Sequence, residues 1–281
     1  MNKTDNINKK LPSFLKGIVS VFDKWIRKIP IVQKKIDTSI DSIMEDLESS
    51  IKPYDNVYKV FSKLPTQGYA KEKILKQIQD ITSLEESRWK EGYVSGAIYH
   101  GEEEHIDFLN KVYAIQSQSN PLHIDLFPSA SKFESEIVAM TLSMLNAEED
   151  SNCCGTVTSG GTESILLAMK TYRDWAYKEK NIRNPEIIVP DTAHAAFDKA
   201  GEYFNIKVIR IPVNVEYKAN VKKIKKAICS RTIAIVASAI TFPHGVIDPI
   251  EEIGVLAKKF NLGFHVDACL GGFILPWAEK L

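Results

Sequence analysis

The segment Gly155-Thr-Val-Thr-Ser-Gly-Gly-Thr-Glu-Ser164 sets two adjacent glycines among hydroxyl side chains. It reads as a short apolar strand over 156–158 that breaks at Gly160-Gly161 and enters a helix, with Ile165, Leu166, Met169 and Tyr172 at helical spacing. Glycines let the backbone turn tightly and approach a ligand closely. The open N–H groups of the helix's first turn, with the hydroxyls of Ser159, Thr162 and Ser164, suit an anion, and phosphate is the usual one. An ordinary strand–turn–helix junction with a serine or threonine cap fits the same residues. The glycine spacing is neither that of the dinucleotide-binding turn nor that of the P-loop.

Two further residues carry chemistry. Asp267 closes an apolar strand, where a carboxylate needs a cation or strong donors to offset desolvation. A structural salt bridge is one partner and a protonated ring nitrogen is another. His194 follows a second strand and is either a satisfied core histidine or a flat ring that stacks on a flat cofactor. A phosphate cup, an aromatic cap and an acid for a ring nitrogen together describe pyridoxal 5′-phosphate. An acid held on its pyridine nitrogen keeps that ring able to accept electrons.

Alternating elements must position these groups. Strands are expected at 186–190, 207–213, 232–239 and 263–268, and helices at 195–204, 221–228 and 249–260. The alternation predicts an α/β fold with a mainly parallel sheet and helices on both faces. Ligands of such sheets gather at the carboxyl ends of the strands. There the chain places the cup, Asp191-Thr-Ala-His194, Thr241-Phe-Pro-His-Gly245 and His265-Val-Asp-Ala268. Upstream, the stretch 54–126 is helical and loop-rich, with two helices expected across 70–91 and one across 106–117, and an apolar-striped helix at 132–145 leads to the cup.

The 281 residues carry no net charge, and 44% are hydrophobic, as in an ordinary globular protein with no global signal for nucleic acid. Cys153, Cys154, Cys229 and Cys269 form no metal-ligand spacing, so no metal site is expected and the thiols are read as reduced. No apolar run approaches the roughly 20 residues of a membrane span, and no secretory leader is recognised. Residues 1–53 are expected to form a separate helical segment. Its basic first part interleaves Lys16, Lys24 and Arg27 with Phe14, Ile18, Phe22 and Trp25 on one helical face. That pattern suits peripheral contact with an anionic membrane through residues 1–35, and equally packing on the main body or a second subunit. After Pro30 the acids Asp37, Asp41, Glu45, Asp46 and Glu48 predict a solvated helix.

The cup, His-Ala-Ala-Phe-Asp-Lys-Ala at 194–200, Phe-Pro-His-Gly-Val-Ile-Asp-Pro at 242–249 and His-Val-Asp-Ala-Cys-Leu-Gly-Gly-Phe at 265–273 resemble the sphingosine-1-phosphate lyases. These are fold-type-I, PLP-dependent transferase-like enzymes. Ser95-Gly-Ala-Ile-Tyr99, Asn120-Pro-Leu-His123 and the stretch 24–32 match the same family, so the likeness runs from about Lys24 onward. It implies that Gly161 and Thr162 hold the cofactor phosphate with Ser164 nearby, that His194 stacks on the ring, and that Asp267 binds its nitrogen. It implies that Tyr99 and His123 contact the substrate phosphate and that Asn120 stands close to the reacting centre. The implied substrate is a phosphorylated sphingoid base, cleaved between C2 and C3 to a long-chain aldehyde and phosphoethanolamine by a homodimer in the cytoplasm or peripheral at a membrane surface.

In the family the lysine that carries the cofactor lies in a Thr-His-Lys segment downstream of the His-Val-Asp-Ala strand, and Lys280 does not replace it. The expectation is therefore an incomplete large domain over 146–281, preceded by a helical and loop-rich part over 54–145 and the helical N-terminal segment, inactive as an isolated chain. A non-catalytic remnant that binds membranes or a partner, and a PLP-dependent amino-acid decarboxylase, are the alternatives.

Overall fold

The central strands explain themselves by composition. Glu186-Ile-Ile-Val-Pro190 and Thr232-Ile-Ala-Ile-Val-Ala-Ser238 lack the apolar–polar alternation of a one-sided sheet, and every residue of both is buried. Such strands require cover on both faces. The computed structural model, which describes residues 29–54, 57–92, 94, 102–147 and 152–280, provides it. The chain divides between Ser87 and Arg88 into two compact units.

The first unit contains helix α1 (Pro30–Ile51), which opens on the proline, and helix α2 (Lys71–Trp89), which ends just across the division. Proline at the first helical position forfeits only an N–H that has no intrahelical partner. α1 is exposed along most of its length, as its acidic run leads one to expect, with Gln33 donating to Asp37 at 2.9 Å one turn on. α2 is one continuous helix where two were expected across 70–91. No glycine or proline interrupts it, and the Ser83 hydroxyl, donated to the Gln79 carbonyl at 2.9 Å, does not break the helix. The amphipathic segment expected at 14–26 and the block around Tyr99 lie outside the described residues.

The second unit begins with α3 (Glu103–Gln116) and α4 (Pro128–Met144), followed by the cup and α5 (Gly161–Lys180). Then come β1 (Glu186–Pro190), α6 (Ala196–Phe204), β2 (Lys207–Ile211), α7 (Val221–Ala227), β3 (Thr232–Ser238), α8 (Ile250–Lys259) and β4 (Gly263–Asp267). A 3-10 stretch of six residues, Leu275–Lys280, follows. All strand pairs are parallel and the order is β2-β1-β3-β4. Ile187 and Val189 of β1 pack with Ile165 and Met169 of α5 and Phe197 and Ala200 of α6 on one face. Ile188 and Ile235 pack with Ile224 of α7 and Ile253 and Leu256 of α8 on the other. The α/β class and the helices on both faces agree with expectation.

Asn181, Asn205 and Asn261 follow α5, α6 and α8 in the left-handed conformation, at φ of 52°, 54° and 52°. Asparagine tolerates that region better than other side chains, so the three residues end their helices and turn the chain back to the next element. At the amino ends of the strands, buried Glu186 takes hydrogen bonds from Arg231 Nε (2.9 Å) and Nη2 (2.6 Å), with Lys207 Nζ 3.6 Å away. Burial opposes ionisation there, but the bonds from Arg231 and Cys229 outweigh it and hold the carboxyl below its ordinary range. A cleft of about 670 Å³ opens beside this ion pair, at the end of the sheet away from the cup. Glu186, Arg231 and Lys207 thus tie the amino ends of β1, β3 and β2 together, a structural role.

Candidate active site

The segment 156–158, expected as a strand, has no ladder. Three residues between Gly155 and Ser159 cannot hold a strand without a neighbour, and none pairs with them among the described residues. Their polar groups are satisfied from α4 instead. Glu134 accepts the Val157 N–H and the Thr156 hydroxyl, each at 2.9 Å, and these bonds, the backbone one first, hold its carboxyl below the usual range.

Beyond it, Gly160 caps α5 and Ser164 N–H makes the first intrahelical bond, to Gly160 O at 3.1 Å. The N–H groups of Gly161, Thr162 and Glu163 belong to the open first turn. Thr158 and Ser164 hydroxyls meet at 2.7 Å across the mouth of this turn. Glu163 folds back and accepts the Ser159 N–H at 2.6 Å; its bonds to Ser159 lower its pKa. A Cβ placed on Gly161 would meet only Cys269 Sγ, at 3.8 Å, so the backbone here is open to a ligand.

A cavity of about 520 Å³ lies at the carboxyl end of β4, lined by Gly161, Thr162, Ser164, His194, His265 and Asp267 among others. The size falls within the roughly 300–1,000 Å³ of small-molecule sites. Five of the eight residues singled out from the sequence thus share one cavity. Asp267 is level with Ser238 of β3, half-buried, and accepts the Cys269 N–H at 3.1 Å. His194 Nδ1 accepts the Ala196 N–H at 3.1 Å, which places the proton of the neutral ring on Nε2.

His265 had no role assigned from sequence. It stands two residues before Asp267 on the same face of β4, edge-on to Phe197 (centroids 5.6 Å) and to Tyr172 (6.5 Å). Burial lowers its pKa, against the opposing charge of Asp267, and so keeps the ring neutral near pH 7. Tyr172 also donates its hydroxyl to Phe264 O at 2.7 Å, tying α5 to β4. The i, i+2 spacing from Asp267 was the available signal for His265.

Asn120 and His123 are not among the residues that line this cavity. They occupy an exposed turn in which Asn120 Oδ1 accepts the Leu122 N–H at 3.1 Å and Asn120 O accepts the His123 N–H at 3.0 Å. Tyr99 lies outside the described residues. Among the described residues no group of three or more potential metal ligands clusters, and no helix is long and apolar enough to cross a membrane.

The donor set fits pyridoxal 5′-phosphate. N–H donors and hydroxyls gather at one helix start, with a carboxylate and an imidazole on the same cavity. The chain is 44% identical over 278 residues to a sphingosine-1-phosphate lyase of Dictyostelium discoideum, covering 99% of this chain and 49% of that protein. It is 45% identical over 258 residues to sphingosine-1-phosphate lyase 1 of Mus musculus, covering 92% of this chain and 44% of that protein. The chain therefore spans about half the length of the curated relatives it matches. Among solved structures, a sphingosine-1-phosphate lyase of Burkholderia pseudomallei K96243 superposes with a TM-score of 0.77 at 37% identity, over 81% of this chain and 54% of that one. A Lactobacillus brevis glutamate decarboxylase at 20% identity and a TM-score of 0.66, over 79% of this chain and 53% of that one, shares the fold. The family model of the pyridoxal-dependent decarboxylase conserved domain matches residues 53–280, and with the cup, the imidazole and the carboxylate gathered on one cavity, the chain belongs to that family.

Proposed function

We propose that the chain carries the cofactor-binding part of a sphingosine-1-phosphate lyase, which cleaves a phosphorylated sphingoid base to a long-chain aldehyde and phosphoethanolamine. The observation that carries this reading is the meeting of Gly161, Thr162, Ser164, His194 and Asp267 on one cavity at the carboxyl end of the sheet. Identity of 44% to a lyase of that name over nearly the whole chain supports the substrate class.

Pyridoxal phosphate, when bound, supplies an electron sink for breaking a bond next to an amine-bearing carbon. The residues of the chain do the rest. The first turn of α5 and the hydroxyl of Ser164 hold the phosphate through N–H and O–H donors. His194 would pack against the ring, and Asp267 would hold the proton on the ring nitrogen. Neutral His265 adds no positive charge that would compete for Asp267. Asn120, His123 and Tyr99 act on the substrate, the latter two at its phosphate. The working enzyme is a homodimer with the cofactor-bearing lysine in a Thr-His-Lys segment, in the cytoplasm or at a membrane surface through residues 1–35.

Titration of the chain with pyridoxal 5′-phosphate, followed by cofactor absorbance, tests the cofactor site. Asp267→Asn keeps an acceptor for Cys269 N–H and removes the charge, and weakens binding about tenfold. Equal binding by the two proteins, or none by either, would refute the site. Release of long-chain aldehyde from sphingosine 1-phosphate by the full-length enzyme tests the reaction.

A further inference from the structure

We propose that Glu134 and Glu163 are positioning residues of the phosphate site, two carboxylates that fix the cup so that its remaining donors face the ligand. The role rests on the cofactor reading above and assigns what holds the loop in shape.

The segment 156–160 has no sheet ladder to hold it among the described residues. Two carboxylates grip it at successive alternate amides. Glu134 of α4 takes Val157 N–H and the Thr156 hydroxyl, and Glu163 of α5 takes Ser159 N–H. Neither uses a donor of the first turn of α5, so Gly161 and Thr162 keep theirs for an anion. The arrangement is not an ordinary capping box, in which the third helical residue returns to the N–H of the cap itself. Glu163 reaches past the cap, Gly160, to the residue before it. The loop thereby closes on itself in the shape that brings the Thr158 hydroxyl onto Ser164. All three bonds end on a carboxylate and are charge-assisted, and the one from Ser159 N–H is short at 2.6 Å, the kind that fixes geometry. Both carboxyls are held below their ordinary range, so the grip is present at neutral pH.

The test uses the full chain with Glu163→Ala, Glu163→Gln, Glu134→Ala and Glu134→Gln. Hydrogen exchange without ligand reads the loop directly. The alanine variants speed exchange of Ser159 or Val157 N–H about tenfold, and the glutamines, which keep an acceptor oxygen, restore most of the protection. Affinity for pyridoxal 5′-phosphate and for inorganic phosphate falls several-fold in the alanine variants, whereas affinity for pyridoxal, which lacks the phosphate, does not change. Unchanged Ser159 and Val157 exchange, or equal losses for pyridoxal and its phosphate, overturns the positioning role alone. A wild-type chain that binds neither phosphate nor cofactor overturns the cofactor reading, and the role with it.

Discussion

The ring of Phe197 meets the imidazole of His265 edge-on, with centroids 5.6 Å apart and planes inclined at 73°. Phe197 has no exposed surface and belongs to the core between α5, α6 and the sheet, while His265 lines the cavity. Core packing and site chemistry therefore share one contact. Phe197→Ala removes a fully buried ring and lowers unfolding free energy by about 3–5 kcal/mol, measured by urea titration. It also admits water to His265, so the imidazole pKa, followed by NMR, moves up toward its ordinary value.

His265 makes stability depend on pH. Burial sets its native pKa below the ordinary 6.5. Between 6.5 and that lower value the unfolded chain binds more protons than the native one, so stability decreases as the pH drops through the window. Above it the contribution is fully present. His265→Asn removes this slope from urea midpoints collected between pH 7.5 and 5; a slope as steep as in the parent protein would mean another group is responsible.

The sequence exposed the strand and helix alternation from Glu186 onward because buried β-branched runs and helical periodicity differ plainly there. The expected strands at 207–213, 232–239 and 263–268 end one or two residues early in the structure, at Ile211, Ser238 and Asp267. The chain leaves the ladder at each carboxyl end to build the loops. The strand at 156–158 misled because a short apolar alternation says nothing about whether a partner lies beside it. Glu134 and Glu163 were hidden for a different reason: an exposed acid on a helix reads as a solvated face until the loop it grips is in place. Asn120 and His123 rested on family resemblance, and their local turn chemistry of a proline after an asparagine does not tell a ligand contact from a turn.

Asp248 takes Ala219 N–H at 2.7 Å on one oxygen and Ser238 N–H at 2.8 Å on the other, almost wholly buried. Burial raises its pKa against those two bonds. Asparagine matches the shape but has one acceptor oxygen, so its NH2 faces a buried N–H. Losing the desolvated charge helps, yet one unsatisfied buried donor is worth about 1–3 kcal/mol. Asp248→Asn is therefore destabilising at pH 7, and the deficit should appear in the denaturation midpoint. The native carboxylate takes its proton at a higher pH than the unfolded one, so between that value and 3.8 the parent gains stability as pH falls. The variant lacks that gain.

Gly201 lies inside α6, where alanine ordinarily favours a helix by about 0.5–1 kcal/mol. A Cβ at this position would stand 2.8 Å from Ile206 O and 2.8 Å from Val208 Cγ2, closer than side chains tolerate. The Val208 methyl can rotate away, but the Ile206 carbonyl is backbone fixed by the turn that Asn205 makes into β2. Forcing α6 off the sheet carries an overpacking penalty of about 1–3 kcal/mol, which exceeds the helix gain. Gly201→Ala is expected to lower the thermal midpoint. Because α6 carries Phe197 against His265, the same variant should raise the imidazole pKa, though less than Phe197→Ala does. A stabilised Gly201→Ala protein with an unmoved His265 resonance would show that α6 shifts freely and does not couple the core to the cavity.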